Sequence, residues 1–334
     1  MVTNQPPQMK NSRNIIAHRR SRVSVVTRAE AYHGPIATWT RRQFLARTGR
    51  WGAGALMAQG LPAVVRATPL GGPVGLQLYA VKDSLAADPA ATLRRVREIG
   101  FGEVETAGFA GHSAQEFRQL LDEARLTCPS AHLEFHLDDL GAAFADAHAL
   151  GAHYAASASL RALLPGEHRG GMGLDEARRS AALANRIAAE ARRAGLQYVY
   201  HNHDFEFADQ GGTIGYDLLL RETDPALVQF EIDCGWMVVG GRNPRDYFER
   251  YPGRFPMIHV KDFLPTPRAG GAAGEASEHR GAELGHGVID YRPIFAAAEK
   301  AGLKHYFAEQ EGPFTRMSEL EAARQAYRYL RGLP

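Results

Sequence analysis

From residue 74 onward, short apolar runs alternate with stretches whose apolar positions recur every three or four residues. The runs at 74–79, 103–106, 130–134, 153–158, 197–202, 228–233, 256–261 and 304–309 are too short for helices. They are apolar on both faces, as strands buried in a parallel sheet must be. Between them, residues 88–100, 113–126, 138–150, 174–195, 215–222, 244–251, 290–301 and 316–331 predict amphipathic helices. Asp88-Pro89 marks a helix start and Asp224-Pro225 a turn, while Gly100, Gly151, Gly195 and Gly302 stand just past helix ends. Eight strands and eight helices in strict alternation predict an α/β fold, a (β/α)8 TIM barrel spanning residues 74–334. The alternative is an open doubly wound sheet, but no Gly-x-Gly-x-x-Gly follows the first strand.

Composition changes the picture at the N-terminus. Residues 1–67 hold eleven Lys/Arg and one acid, Glu30. Taking these from the chain's 39 basic and 37 acidic residues leaves 28 and 36, so the barrel carries about −8 despite a whole-chain charge of +2. Duplex nucleic acid, which requires a basic footprint, is a poor partner for such a surface. Within the leader, Thr40-Arg41-Arg42-Gln43-Phe44-Leu45 precedes a Gly- and Ala-rich apolar run, residues 51–65, that ends at Val65-Arg66-Ala67. This order resembles a bacterial twin-arginine export signal, with Ala46 where that pattern usually has Lys. The resemblance implies a twin-arginine translocase as a transient partner and a periplasmic or secreted product. A basic tail or a mitochondrial-type presequence is the alternative, and about forty residues before the arginine pair suggest a start downstream of Met1. The apolar run is too short and glycine-rich to anchor the chain in a membrane. With only Cys128 and Cys234, a disulfide framework is excluded and a single bridge is the most that could form.

The strands turn polar at their C-terminal ends, the face on which barrels of this kind place their chemistry. Tyr200-His201-Asn202-His203-Asp204-Phe205-Glu206-Phe207 sets two imidazoles two residues apart, so that both face one side of an extended chain. Strand 6 ends at Asp233, strand 7 carries His259 and Lys261 in phase, and strand 8 ends at Glu309. Together these ends supply His, Asp, His and Glu, a mixed nitrogen and oxygen set suited to one divalent metal ion. Other readings stand beside each: Asp233 as a helix cap, His259 as a core histidine, and Lys261 as the partner of Glu231 or Glu309. Glu105 and His132, at the ends of strands 2 and 3, are candidates for substrate binding or acid/base work. Residues 266–281, rich in Gly, Ala and Glu, read as a mobile loop over this face.

Gly75-Leu76-Gln77-Leu78-Tyr79, Glu103-Val104-Glu105, the Tyr200 block, Phe230-Glu231-Ile232-Asp233, His259-Val260-Lys261-Asp262, Gly285-His286-Gly287-Val288-Ile289-Asp290 and Glu309-Gln310 resemble the xylose isomerase-like barrel superfamily. More narrowly they are similar to its bacterial sugar phosphate isomerase/epimerase group, which is related to the family 2 AP endonucleases. The resemblance implies metal ligands His201, Asp233, His259 and Glu309, around one ion of Mn, Zn, Co, Mg or Fe. Placement at strand ends and side-chain chemistry make Glu309, Lys261, Glu105 and His203 candidate catalytic groups, and Gln77, Tyr79, His132 and Trp236 candidate contacts for a small-molecule sugar. Lys261 is expected to lose basicity through burial beside the cation. His201 and His203 compete for one ligand role, His201 standing where epimerases of this superfamily place a glutamate. The activity implied is a metal-dependent isomerase or epimerase working through an enediolate. A 3-keto-glycoside lyase or hydratase, favoured by loss of that glutamate, and a non-catalytic sugar-binding barrel are the alternatives. An abasic-DNA endonuclease is disfavoured by charge. Oligomeric state is left open.

Overall fold

The strand runs are filled by apolar and aromatic side chains, and they close on themselves. In a computed structural model of the protein, describing residues 68–166, 169–264, 281–311 and 317–333, eight parallel strands form a closed barrel. They are β1 (Gly75–Gln77), β2 (Glu103–Ala107), β3 (Thr127–His132), β4 (Tyr154–Ser157), β5 (Gln197–His201), β6 (Val228–Asp233), β7 (Met257–Val260) and, after a two-stranded ribbon of β8 (Asp262–Phe263) and β9 (Gly281–Ala282), β10 (His305–Ala308). Strand β1 pairs with both β2 and β10, which completes the ring. The leader and most of the 266–281 segment lie outside the described residues, so the export signal and the loop expected there are not seen.

Around the barrel run α1 (Lys82–Ala87), α2 (Pro89–Ile99), α3 (Ala114–Ala124), α4 (Leu140–Leu150), α5 (Leu174–Arg193), α6 (Gly215–Glu222), α7 (Cys234–Val239), α8 (Pro244–Arg250), α9 (Tyr291–Lys300) and α10 (Glu319–Gly332). Eight of these match the helices predicted by periodicity. Their starts are written in the chain: the Asp88 side chain accepts from Ala91 N–H, while Ser113 with Glu116 and Ser318 with Glu321 form reciprocal capping boxes. Inside the barrel, Tyr154, Ala156, Val199, Met257 and Phe307 form an apolar floor apart from the main core between strands and helices. Phe307 needs a glycine opposite it, because a Cβ on Gly75 would meet its ring at 2.5 Å.

The structure departs from expectation in four places. Strand β3 begins at Thr127, three residues early, and contains Pro129; pairing with β2 skips a residue between Glu103 and Glu105, and this bulge accommodates a residue with no N–H. Helices α1 and α7, six residues each, were not foreseen. Neither was the β8–β9 ribbon, which Asp262 organises by accepting from the N–H groups of Phe263 (3.0 Å), Gly285 (3.2 Å), Gly287 (2.9 Å) and Ile289 (3.1 Å). Lastly, Cys128 and Cys234 are both free and buried, on opposite arcs of the barrel, so no bridge forms.

Candidate metal centre and substrate cavity

Four strand ends converge as expected. One ligand-type atom from each of His201, Asp233, His259 and Glu309 lies within 4.8 Å of the others. His259 Nδ1 is 2.9 Å from Glu309 Oε2 and 4.0 Å from Asp233 Oδ2. Each of the four also has one buried atom that makes no hydrogen bond: His201 Nδ1, Asp233 Oδ2, His259 Nδ1 and Glu309 Oε2. Two imidazoles and two carboxylates converging here would suit a divalent ion such as Zn, Mn, Co or Fe, which would share the two carboxylates with the Lys261 ammonium. Asp233 Oδ1 accepts from Trp236 N–H at 2.8 Å and caps α7, the cap role foreseen for it, while Oδ2 faces the centre, 3.0 Å from Lys261 Nζ. Of the competing pair, His201 belongs to the quartet and His203 stands beside it, ring centroids 5.0 Å apart.

Beneath the quartet lies a second polar layer. Glu231 Oε2 sits 3.0 Å from His132 Nε2, 3.2 Å from His259 Nε2 and 3.5 Å from His201 Nδ1. Glu105 Oε2 is 2.6 Å from His259 Nε2 and accepts from the Gln77 amide at 2.8 Å, while Ser130 donates to its other oxygen at 2.5 Å. Buried and tied to Gln77, Ser130, His259 and, at 3.3 Å, His132, Glu105 does not line the cavity, and its contact with His259 Nε2 is the kind a carboxylate makes to orient a metal-binding histidine. Gln77 reaches the cavity wall, but its amide already holds Glu105 and caps Tyr79 N–H. Glu231 was missed as a site residue, although the rule that aligns His201 with His203 also aligns Glu231 with Asp233.

Charge organises the centre. Burial and the neighbouring His259 hold His201 well below the usual histidine range, so it is a neutral imidazole ready to ligate. Burial works against the charge of Glu309, but Lys261 and His259 outweigh it and keep the carboxylate ionised. Lys261 Nζ lies 3.0 Å from Asp233 Oδ2 and 2.9 Å from Glu309 Oε2, and donates to Glu311, a partner that was not foreseen. Burial lowers its pKa, but with no ion beside it those three carboxylates raise it above the ordinary lysine value, so Lys261 is an ammonium paired with all three. Its backbone is held where β7 gives way to β8, because the Tyr291 hydroxyl accepts from Lys261 N–H at 2.8 Å and donates to its carbonyl at 2.6 Å.

His203 is placed by a buried carboxyl. Glu206 Oε2 accepts from His203 N–H at 2.9 Å and Oε1 from the Tyr200 hydroxyl at 2.9 Å, clamping the chain on both sides of His201. Burial raises the Glu206 pKa from 4.5 to about 8. Between those values the folded chain keeps a proton that the unfolded chain has lost, so stability falls as pH rises from about 4.5 to about 8. Glu206→Gln is expected to flatten that slope, compared with wild type in denaturant midpoints at pH 5 and pH 8. Parallel curves for the two proteins would mean that Glu206 ionises normally.

Above the centre opens a cavity of about 690 Å³. His132, His201, His203, Trp236, Glu309 and Glu311 line its inner part, and Tyr79, 40% exposed and bonded to Lys82, stands at its edge. His203 Nδ1 and Trp236 Nε1 are buried without hydrogen bonds, which leaves them for a ligand. Trp236 packs on Phe263 at 4.9 Å, with the Lys261 ammonium 5.0 Å from its ring centroid.

Comparison with known proteins agrees with this geometry. The family profile described as xylose isomerase-like TIM barrel matches residues 93–333. The chain belongs to the xylose isomerase-like TIM barrel family. Within it, an inosose dehydratase of Lacticaseibacillus casei is 31% identical over 167 residues, covering 47% of this chain and 54% of that protein. The chain thus matches about half the length of this curated relative. A sugar phosphate isomerase/epimerase from Parabacteroides distasonis shares the fold at 24% identity and TM-score 0.64, covering 83% of this chain and 98% of that one. A xylose isomerase-like barrel from Mycobacterium smegmatis, solved in complex with magnesium, is 19% identical with TM-score 0.57, covering 79% and 97%. The fold of the family is therefore common ground, and this chain's own His/Asp/Glu group could hold a metal; the reaction is a separate question.

Proposed function

We propose that the protein is a metal-dependent lyase of the dehydratase kind, acting on a ring that bears a carbonyl and several hydroxyls. The observation that carries this reading is where the acids beside the candidate ligands stand: Glu309, in contact with His259, and Glu311, in contact with Lys261, both follow β10, whereas Glu134 and Asp146 line the cavity after β3 and on α4. An epimerase working through two bases needs them on opposite faces of the carbon. Acids on a single side suit removal of one proton and departure of a neighbouring oxygen. When bound, the ion supplies Lewis acidity toward the carbonyl and adjacent hydroxyl oxygens. Glu309 accepts the proton from the carbon beside the carbonyl. The C–H electrons form the new C=C bond, the β C–O bond breaks, and the departing oxygen takes a proton through Glu311, which lines the cavity and is hydrogen-bonded to Lys261 behind it. His203 and Trp236 hold ring hydroxyls through their free nitrogens. The inosose dehydratase likeness supports the reading.

The test is incubation of the metal-loaded protein with inosose and with keto-sugars in D2O, followed by NMR and by absorbance of the unsaturated carbonyl. Elimination is expected, with Lys261→Met slowing it by roughly 10²–10⁴-fold while metal content is kept. A deuterated epimer without elimination would return the assignment to isomerase, and binding without exchange would leave a sugar-binding barrel.

A further inference from the structure

The cavity is larger than the chemistry at its base requires, and the surplus lies on one side. At roughly 30 Å³ per water-sized group, a sugar ring with its hydroxyls, about twelve such groups, takes on the order of 350 Å³. That is about half of the 690 Å³ present. The candidate ligands come from β5, β6, β7 and the end of β10, yet the outer lining comes from the chain after β2, β3 and β4 and from α4. This outer wall presents Phe109, Leu133, Ala143 and Ala158, with Glu134, Asp146 and His136 at its edge. Leu133 and Ala143 are buried and Phe109 is half-buried, so the slot is set back and apolar beside one aromatic ring. The Asp146 carboxyl, half-buried in the wall, has no hydrogen-bond or ion-pair partner among the described residues, and burial raises its pKa.

We propose that this slot is a second binding subsite, which takes a planar apolar group attached to the sugar ring, with a hydroxyl or amine directed at Asp146. It rests on the reading of the inner cavity as a sugar site and names the larger ligand that site accepts. An acidic edge excludes a phosphate or carboxylate there, while a flat ring between Phe109 and the alanines buries its faces.

Calorimetric titration of the manganese-loaded protein with methyl and phenyl glucopyranosides, each as both anomers, tests this without any need for turnover. The phenyl compound is expected to bind about tenfold more tightly, the gain of burying one ring in an apolar slot. In Ala158→Trp, at an exposed position where a large side chain does not threaten folding, the ratio of the two affinities is expected to collapse to about one; in Phe109→Ala it should fall part of the way. Equal affinities in the wild-type protein overturn the subsite and leave the sugar reading standing. A ratio that survives both substitutions overturns its location, and binding of neither glycoside overturns the subsite, while the reading of the inner cavity is tested separately by the keto-sugars and inosose.

Discussion

The purified wild-type protein is expected to hold about one divalent ion per chain, and His259→Ala is expected to leave it essentially free of metal. The ring of His259 touches both layers of the centre: Nδ1 faces Glu309 and Asp233, while Nε2 is held by Glu105 and Glu231. Removing it opens the ligand set and takes away the group that two buried carboxylates share. Asp233→Asn is the more selective variant, since the amide oxygen can still cap α7 while the ligand charge is gone. Both should weaken metal binding by more than the roughly 10–100-fold typical of losing a supporting partner. Elemental analysis after dialysis reads the result, and full occupancy in both variants would place any ion elsewhere.

The second large effect is on stability. Glu231 is fully buried and its Oε2 serves three imidazoles. His259 is held well above the usual histidine range, the carboxylates of Glu231, Glu309 and Glu105 overcoming its burial. In the metal-free protein, Glu231→Ala therefore leaves a buried charge short of its partner as well as a cavity. A loss of about 3–5 kcal/mol is expected, a drop in melting temperature of roughly 10 °C for a domain of this size. A change below about 1 kcal/mol, within the range of ordinary surface substitutions, would mean that the histidines are satisfied by other groups.

The barrel was legible because alternation of short apolar runs with periodic helices is dictated by burial alone, and burial is written in every residue. The quartet was legible for a related reason: in a strand, spacing of two fixes the face, so His201, Asp233, His259 and Glu309 could be aligned before any contact was known. What spacing does not fix is depth. Glu105 and Glu231 share the inward face with true candidates, but they stand lower in the barrel, and only the stagger between strands shows which acids reach the cavity and which support histidines from below. Lys261 shows the same limit for charge. Its burial could be anticipated, but the three carboxylates that reverse its effect come from β6 and the chain after β10, more than twenty residues away. Helix α7 escaped notice because a six-residue apolar segment, Cys-Gly-Trp-Met-Val-Val, has no period long enough to read.

Asp233 divides its two oxygens between the first turn of α7 and the candidate metal centre. That division makes ion and ligand thermodynamic partners. An ion that fixes Oδ2 also fixes the peptide that Oδ1 holds, and with it the indole of Trp236 in the cavity wall. Whatever factor the ion adds to ligand affinity, the ligand must return to ion affinity, because the coupling is a property of the ternary state and not of the order of arrival. Titrating the ion with and without a saturating ligand measures that factor from one side and titrating the ligand from the other; equal values different from one would show the aspartate acting as a link, and a value of one would show two sites that merely adjoin.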